Sequence, residues 1–190
     1  MNEMDLRVIK TRRALKEAFI ELVLENGYES ITVRQVAERA SVGNKTFYRH
    51  FADKRQLAIA IVEEIFGEII EARKMPTSIE VLEENAVLVL RVVDKHSDFL
   101  LRIRHVADWA DFVAKQMLVD GVAEVKLILN LSQDATHSLG QPPLELQAYH
   151  FVSTLISLCY WWIEHDKPFV IEQMAEYINQ FAVRPLLHKR

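Results

Sequence analysis

A chain of 190 residues, half of them hydrophobic, is long enough to bury one or two cores. Five glycines and five prolines argue against collagen-like repeats, disorder and a turn-rich all-β fold. The formal net charge of −4 is uneven, +3 over residues 1–55 and −7 over the rest, so an anionic partner is expected for the basic head alone.

Apolar residues recur at helical spacing almost everywhere, with no sustained alternation and no internal repeat. The first helix is expected over 5–26, with a core stripe of Leu6, Ile9, Ala14, Leu15, Ala18, Phe19, Leu22 and Val23 and a C-cap at Gly27. Its charged start has no apolar signal core.

The next stretch, "ITVRQVAERASVGNKTFYRHFADKRQ" (31–56), interleaves seven cationic side chains, counting His50, with Phe47, Tyr48 and Phe51. Thr32 and Gln35 have capping-box spacing, with Ile31 and Val36 as staple. Val33, Val36, Ala37 and Ala40 fill one face of that short helix, and Arg34, Gln35, Glu38 and Arg39 the other. Ser41-Val42-Gly43 leaves room only for a tight turn, with Ser41 in a left-handed conformation. A second short helix over 44–51 turns Phe47 and Phe51 inward and Asn44, Lys45, Tyr48 and Arg49 outward, with Thr46 and His50 beside them. Two short helices joined in this way suit the DNA major groove. Asn44 offers a donor and an acceptor to adenine, Lys45 reaches guanine acceptors, and Thr46, Tyr48 and His50 suit phosphates. An ordinary solvated helix face is the alternative, and the next helix start weighs against it. Asp53 and Gln56 cap that start, yet Lys54 and Arg55 occupy its first turn, where the helix dipole disfavours cations. A phosphate held there with Lys54 would remove the conflict.

Residues 7–66 resemble the DNA-binding domain of the TetR family of transcriptional regulators. The likeness is carried by Asn26-Gly27-Tyr28, Thr32-Val33, Val36-Ala37, Ala40, Val42, Thr46-Phe47-Tyr48, His50-Phe51 and Lys54 in order. It implies that Tyr48, His50 and Lys54 grip phosphates, and that Arg34, Asn44, Lys45 and Thr46 meet bases or nearby backbone. Thr32 and Gly43, at the two helix starts, complete the expected DNA-binding set. It also implies a homodimer on a palindromic operator, a ligand pocket in the C-terminal helices and usually repression. Ser41 replaces the usual turn glycine, Gly43 the usual polar cap and Lys45 a frequent small residue or proline. Those departures bear on sequence readout.

Further helices are expected over 53–74, 77–95, 97–106, 108–136 (with a break near Gly121), 143–165 and 169–184. "HSLGQPP" and "HDKP" read as loops. Residues 146–163 are uncharged and reach the lower length of a membrane span. Gln147, His150, Ser153, Thr154 and Ser157 make a buried helix the expectation, and no membrane is expected as a partner. The 143–165 helix is apolar nearly all round and needs cover on two sides. A four-helix dimer interface built with the last helix would supply it through Phe151, Leu155, Trp161, Trp162, Met174, Tyr177, Ile178 and Phe181; a wholly intramolecular core is the alternative. "YWWIEHDKPFVIEQMAEYINQF" resembles the C-terminal region of a TetR-like subset that includes regulators linked to dihydroxyacetone kinase.

Polar residues stranded in apolar helices mark a candidate effector pocket for an unknown small molecule: His96, Arg102, His105, Trp109, Gln116, His137, His150 and Cys159, of which Arg102, His105, Trp109 and His150 are expected to form the pocket face. His96 and His105 are too far apart in sequence to pair on a metal, and Cys159 stands alone. "HSD" at 96–98 lacks a glycine-rich elbow. No enzyme, cofactor or metal is expected. The lone cysteine fits a reducing cytoplasm. The expectation is an all-α protein: a helix-turn-helix domain over 1–52 (the motif at 32–51), a connecting helix over 53–74 and a ligand-binding and dimerisation domain over 75–190. Its expected role is that of a ligand-responsive DNA-binding repressor acting as a homodimer. In a different class, a coactivator of similar fold would dock a partner protein through its C-terminal domain.

Overall fold

The structure, a computed structural model, describes residues 3–74, 78–106, 118–132 and 142–187. All regular structure among them is helical: α1 (Glu3–Asn26), a 3-10 turn (Tyr28–Ser30), α2 (Val33–Arg39), α3 (Asn44–His50), α4 (Lys54–Ala72), α5 (Ile79–Lys95), α6 (Ser97–Ile103), α7 (Val119–Ser132), α8 (Leu144–Glu164) and α9 (Ile171–Ile178). A π-helical stretch (Asn179–Val183) and a last turn, α10 (Arg184–Leu187), follow. The chain divides into two compact units, one of residues up to 67 together with 98–106, the other of 68–97 with the described residues from 118 onward. The sequence division into 1–52, 53–74 and 75–190 differs from this one in two places: residues 53–67 join the first unit and 68–74 the second, and 98–106 fall with the first.

In the first unit Leu15, Phe19, Val23, Val36, Phe47 and Leu57 are wholly buried. Aromatic rings meet edge-on there: Phe19 with Tyr28 at 6.2 Å and with Phe99 of α6 at 6.4 Å between centroids. The α1 stripe begins later than its spacing predicts, for Leu6 and Ile9 are 39% and 52% exposed. Lys16 is buried on α1, and its ammonium is met by the Glu64 carboxylate and the Ala60 carbonyl of α4. A cation buried at its stem and paired at the solvent edge in this way ties two helices.

In the second unit α5 lies against α7, α8 and α9, and α7 packs along α8. Gly121 sits inside α7 rather than at a break. A β-carbon there would lie 3.2 Å from both Val152 methyls, so the missing side chain lets α7 approach α8. Asn85 is buried on α5 and holds the backbone of Lys74 from both sides, accepting from its N–H at 2.8 Å and donating to its carbonyl at 2.9 Å. The buried Trp162 indole donates to the Phe169 carbonyl at 2.8 Å, which satisfies its polar edge and folds the loop back onto α8. The final helix, expected unbroken to 184, widens over Asn179–Val183. Pro185 explains this, because its ring would clash with the carbonyl four residues earlier in a regular α-turn.

Cys159 is buried, and desolvation pushes its thiol up to about 12. The thiolate is the reactive form, so the native protein is expected to react with a thiol reagent no faster than it unfolds. Urea should release that reaction, as measured by the rate of thionitrobenzoate formation.

Candidate nucleic-acid interface

Local chemistry shapes the α2–α3 pair. Thr32 accepts from the Gln35 N–H at 3.3 Å while the Gln35 side chain accepts from the Thr32 N–H at 2.8 Å, closing the capping box. At the other end of α2, Ser41 N–H donates to Glu38 O at 3.0 Å and Val42 N–H to Ala37 O at 2.9 Å. These two bonds form a Schellman turn around a left-handed residue, and Ser41 adopts φ 56 as expected. Gly43 then starts α3 in an extended conformation with open space around its α-carbon, so no steric demand explains a glycine there.

On α3, Phe47 is buried and Asn44, Lys45, Tyr48 and Arg49 are exposed on one arc, with Thr46 and His50 half-buried beside it. The Phe47 ring packs against Phe51 at 6.0 Å and meets Tyr48 at 5.6 Å edge-on, leaving Tyr48 59% exposed. Neither Lys45 nor Arg49 forms an ion pair among the described residues, whereas Arg34 on α2 is paired with Glu38 at 2.7 Å. Arg39 binds Glu25 through both guanidinium ends, at 2.9 and 2.8 Å, and Glu21 at 3.1 Å. That fork fastens α2 to α1 and keeps Arg39 off the α3 arc.

Lys54 does not reach outward as the sequence reading expects. Its ammonium donates to the carbonyls of Tyr28 (3.0 Å), Ile31 (3.1 Å) and, at greater length, Glu29 (3.5 Å), and lies 4.4 Å from the Tyr28 ring centre. Three donors are all an ammonium has. Asp53 caps Gln56 N–H at 2.7 Å, and the Gln56 side chain takes Ala52 N–H, so the cation conflict in this first turn is relieved by the protein itself. Arg12, which the sequence reading passed over, donates to the His50 carbonyl at 3.2 Å and stacks over the Phe51 ring at 4.5 Å. A signal was present: Arg12 falls three and seven residues before Leu15 and Phe19, on the buried stripe. His50 is held below its ordinary pKa, first by burial and then by the charges of Arg12 and Arg49.

Elsewhere the expected sites are distributed as follows. Arg102 and His105 are exposed in the first unit and His150 is exposed in the second; Trp109, Gln116 and His137 lie outside the described residues. Four of the eight expected interface residues, Phe151, Trp162, Met174 and Ile178, are buried in the second unit's own core. They have no area left for a partner. Leu155 and Tyr177 are half-buried, and Trp161 and Phe181 are 41% and 59% exposed. Trp161 stacks on His165 at 4.5 Å. No helix among the described residues is long and apolar enough to cross a membrane.

Residues 16–61 match the family model for bacterial regulatory proteins of the tetR family. Over 67 residues the chain is 42% identical to the HTH-type transcriptional regulator TcmR of Streptomyces glaucescens, a match covering 34% of this chain and 30% of that protein. The chain thus spans less than a third of that relative's length. Among solved structures, a TetR transcriptional regulator from Streptococcus agalactiae 2603V superposes with a TM-score of 0.65 at 22% identity, over 96% of this chain and all of that one. The dihydroxyacetone kinase operon activator DhaS gives 0.64 at 17% identity, over 93% and 96%.

His50 supplies a test of the geometry. Its lowered pKa favours the neutral ring, so the stability it contributes is present above the unfolded value and is lost as pH falls through the folded one. Replacing Arg12 by Gln removes a repelling cation and should raise the His50 pKa towards about 6.5, as read from the imidazole proton shifts in an NMR titration.

Proposed function

We infer from a chain whose helix-turn-helix unit is that of the TetR family, and whose fold is the family's throughout, that it is a transcriptional regulator inserting α3 into the major groove of duplex DNA. The observation that carries this reading is the arc of Asn44, Lys45, Tyr48 and Arg49, exposed over a buried Phe47. An amide and two cations that form no ion pair among the described residues, on one short helix, match what a groove presents: base edges flanked by phosphates. Arg34, on α2 and paired with Glu38, meets bases or the nearby backbone in this reading. In this reading Thr46 and His50 border the phosphates, and Thr32 and Gly43 set the two helix starts.

The regulator acts in the cytoplasm as a homodimer on a two-fold-related site, because paired heads reach successive major grooves. Trp161 and Phe181, with the half-buried Leu155 and Tyr177, are the part of the second unit's exposed apolar surface that a second copy would cover. The second unit also answers to a small molecule. The Ser153 hydroxyl and the Asn179 amide oxygen are buried there without hydrogen-bond partners among the described residues. Unsatisfied polar atoms cost free energy, and a ligand that pairs with them would recover it. Repression by exclusion at a promoter is the expected outcome, with release when the ligand binds.

Two measurements test the reading. Duplexes enriched from a random pool by the protein should bind with a steep salt dependence. Lys45→Ala or Arg49→Ala should each flatten the slope of log K against log salt by about 0.9. Asn44→Ala should instead cost about 1–3 kcal/mol of discrimination at one base pair. Failure to enrich any duplex would remove the DNA-reading assignment.

In light scattering the protein should run near twice 22.1 kDa, and Phe181→Glu or Trp161→Glu should shift it to the monomer. A charge at Ile178, which is 1% exposed, should unfold the unit instead. A wild-type monomer at micromolar concentration would overturn the dimer.

A further inference from the structure

We propose that DNA binding carries a proton into the complex at each reading head, taken up by the His50 imidazole as it meets a backbone phosphate. The inference rests on the DNA-reading assignment of α3 and adds a second ligand, the proton, to that site. His50 is the last residue of α3, half-buried at the border of the exposed arc of Asn44, Lys45, Tyr48 and Arg49. Arg12 of α1 holds its carbonyl at 3.2 Å, so the main chain there is fixed independently of the ring. The imidazole itself forms no hydrogen bond or ion pair among the described residues. Groups that border base-reading side chains face the phosphates, and a ring with no partner of its own is available to one.

The charges around the ring decide its protonation. Among the described residues, those that act on it are Arg12 from α1 and Arg49 from α3 itself, both permanent cations. The carboxylates of α2 and of the α3–α4 turn are engaged elsewhere, Glu38 with Arg34 and Asp53 in the cap of Gln56. On α1, Glu17, Glu21 and Glu25 pair with Arg13 and Arg39, and Lys54 of α4 is turned to main-chain carbonyls. A third permanent cation in this corner would repel the other two. Histidine avoids that, because burial and then the two guanidinium charges hold it below its ordinary value and leave the ring neutral in the absence of DNA. Phosphate works the other way: its negative charge favours the imidazolium and offsets the repulsion from Arg12 and Arg49. A cation thus forms where it is needed and only when DNA is present. Proton affinity and DNA affinity rise together, as linkage requires.

The probe is the duplex that wild-type protein enriches from a random pool, with affinities corrected for folded fraction. Affinity should fall with rising pH, by up to about tenfold per unit for one proton, between the His50 pKa without DNA and the higher one with it. It should level off on either side. Calorimetric titration near pH ~6.5, repeated in buffers of different ionisation enthalpy, should register net proton uptake on binding. An imidazolium at a phosphate releases a counterion that a neutral ring does not, so the slope of log K against log salt should be steeper on the acid side by about 0.9 per head.

His50→Gln keeps a hydrogen-bond donor but does not titrate. It should abolish the proton uptake and give the same salt slope on both sides. Should His50→Gln fail to fold, the imidazole shifts of His50 in the wild-type complex, assigned through the backbone, carry the comparison: DNA should move their midpoint to higher pH. Uptake that persists in His50→Gln would overturn the proposal. So would a His50 midpoint that DNA leaves unmoved or lowers, the result for a neutral ring at the phosphate. Either outcome leaves the DNA-reading assignment standing. If the wild-type protein enriches no duplex, that assignment fails and the proposal falls with it.

Discussion

Helix nucleation fixes several backbone angles for each hydrogen bond first gained, and α2 and α3 have only seven residues each to recover that loss. Neither could persist alone in water. Their existence depends on what lies beneath and at their ends: Val36, Ala37, Phe47 and Phe51 set among Leu15, Phe19, Val23 and Leu57, a capping box at one start, a Schellman turn between them and cations against the outermost carbonyls. The small aromatic core thereby does two things. It supplies the burial that keeps α3 helical, and by taking Phe47 and Phe51 inward it fixes which side chains remain outside.

The second unit solves a different problem. α8 is apolar on nearly every side, and the unit's own helices cover more of it than the residue pattern suggests. α7 approaches closely where Gly121 meets Val152, and the loop after α8 is drawn back by the Trp162 indole. Lys167, in that loop, donates to Asp94 at 2.7 Å and to the Ser97 hydroxyl at 3.1 Å, so the far end of α5 is tied to the same corner. The left-handed conformations of Asp166 and Lys167 make the sharp reversal possible. Burial inside the unit and availability to a second copy compete for the same apolar residues, and Trp162, Met174 and Ile178 have gone to the interior.

Much of this was legible from residue spacing. Helix starts announced themselves where a side chain caps locally, as at Thr32 and Asp53, because such signals involve only three or four neighbouring residues. The α3 arc followed from a single turn of periodicity. What was not legible depended on partners distant in sequence. Lys54 is occupied by carbonyls 23–26 residues away, and nothing within its own helix distinguishes that from an outward reach. Phe99 belongs with Phe19, eighty residues earlier, so the first unit recruits a segment that local periodicity assigns to the acidic body. Which face of α8 points inward was equally hidden, since a helix apolar on nearly every side offers little contrast to orient it. Pro185 was visible, but its consequence for the preceding turn required knowing that the helix continues.

Every amino acid carries a carbonyl. The hydrogen bonds that fasten this frame to the main-chain oxygens of residues 28, 29, 31 and 50 therefore do not themselves require particular side chains at those positions. The exposed side chains of α3 take no part in that fastening either. Mutation can rewrite the letters on the reading surface without disturbing the page on which they are set. If α3 reads DNA as proposed, a lineage built on this frame could move from one DNA sequence to another by single substitutions on that exposed arc.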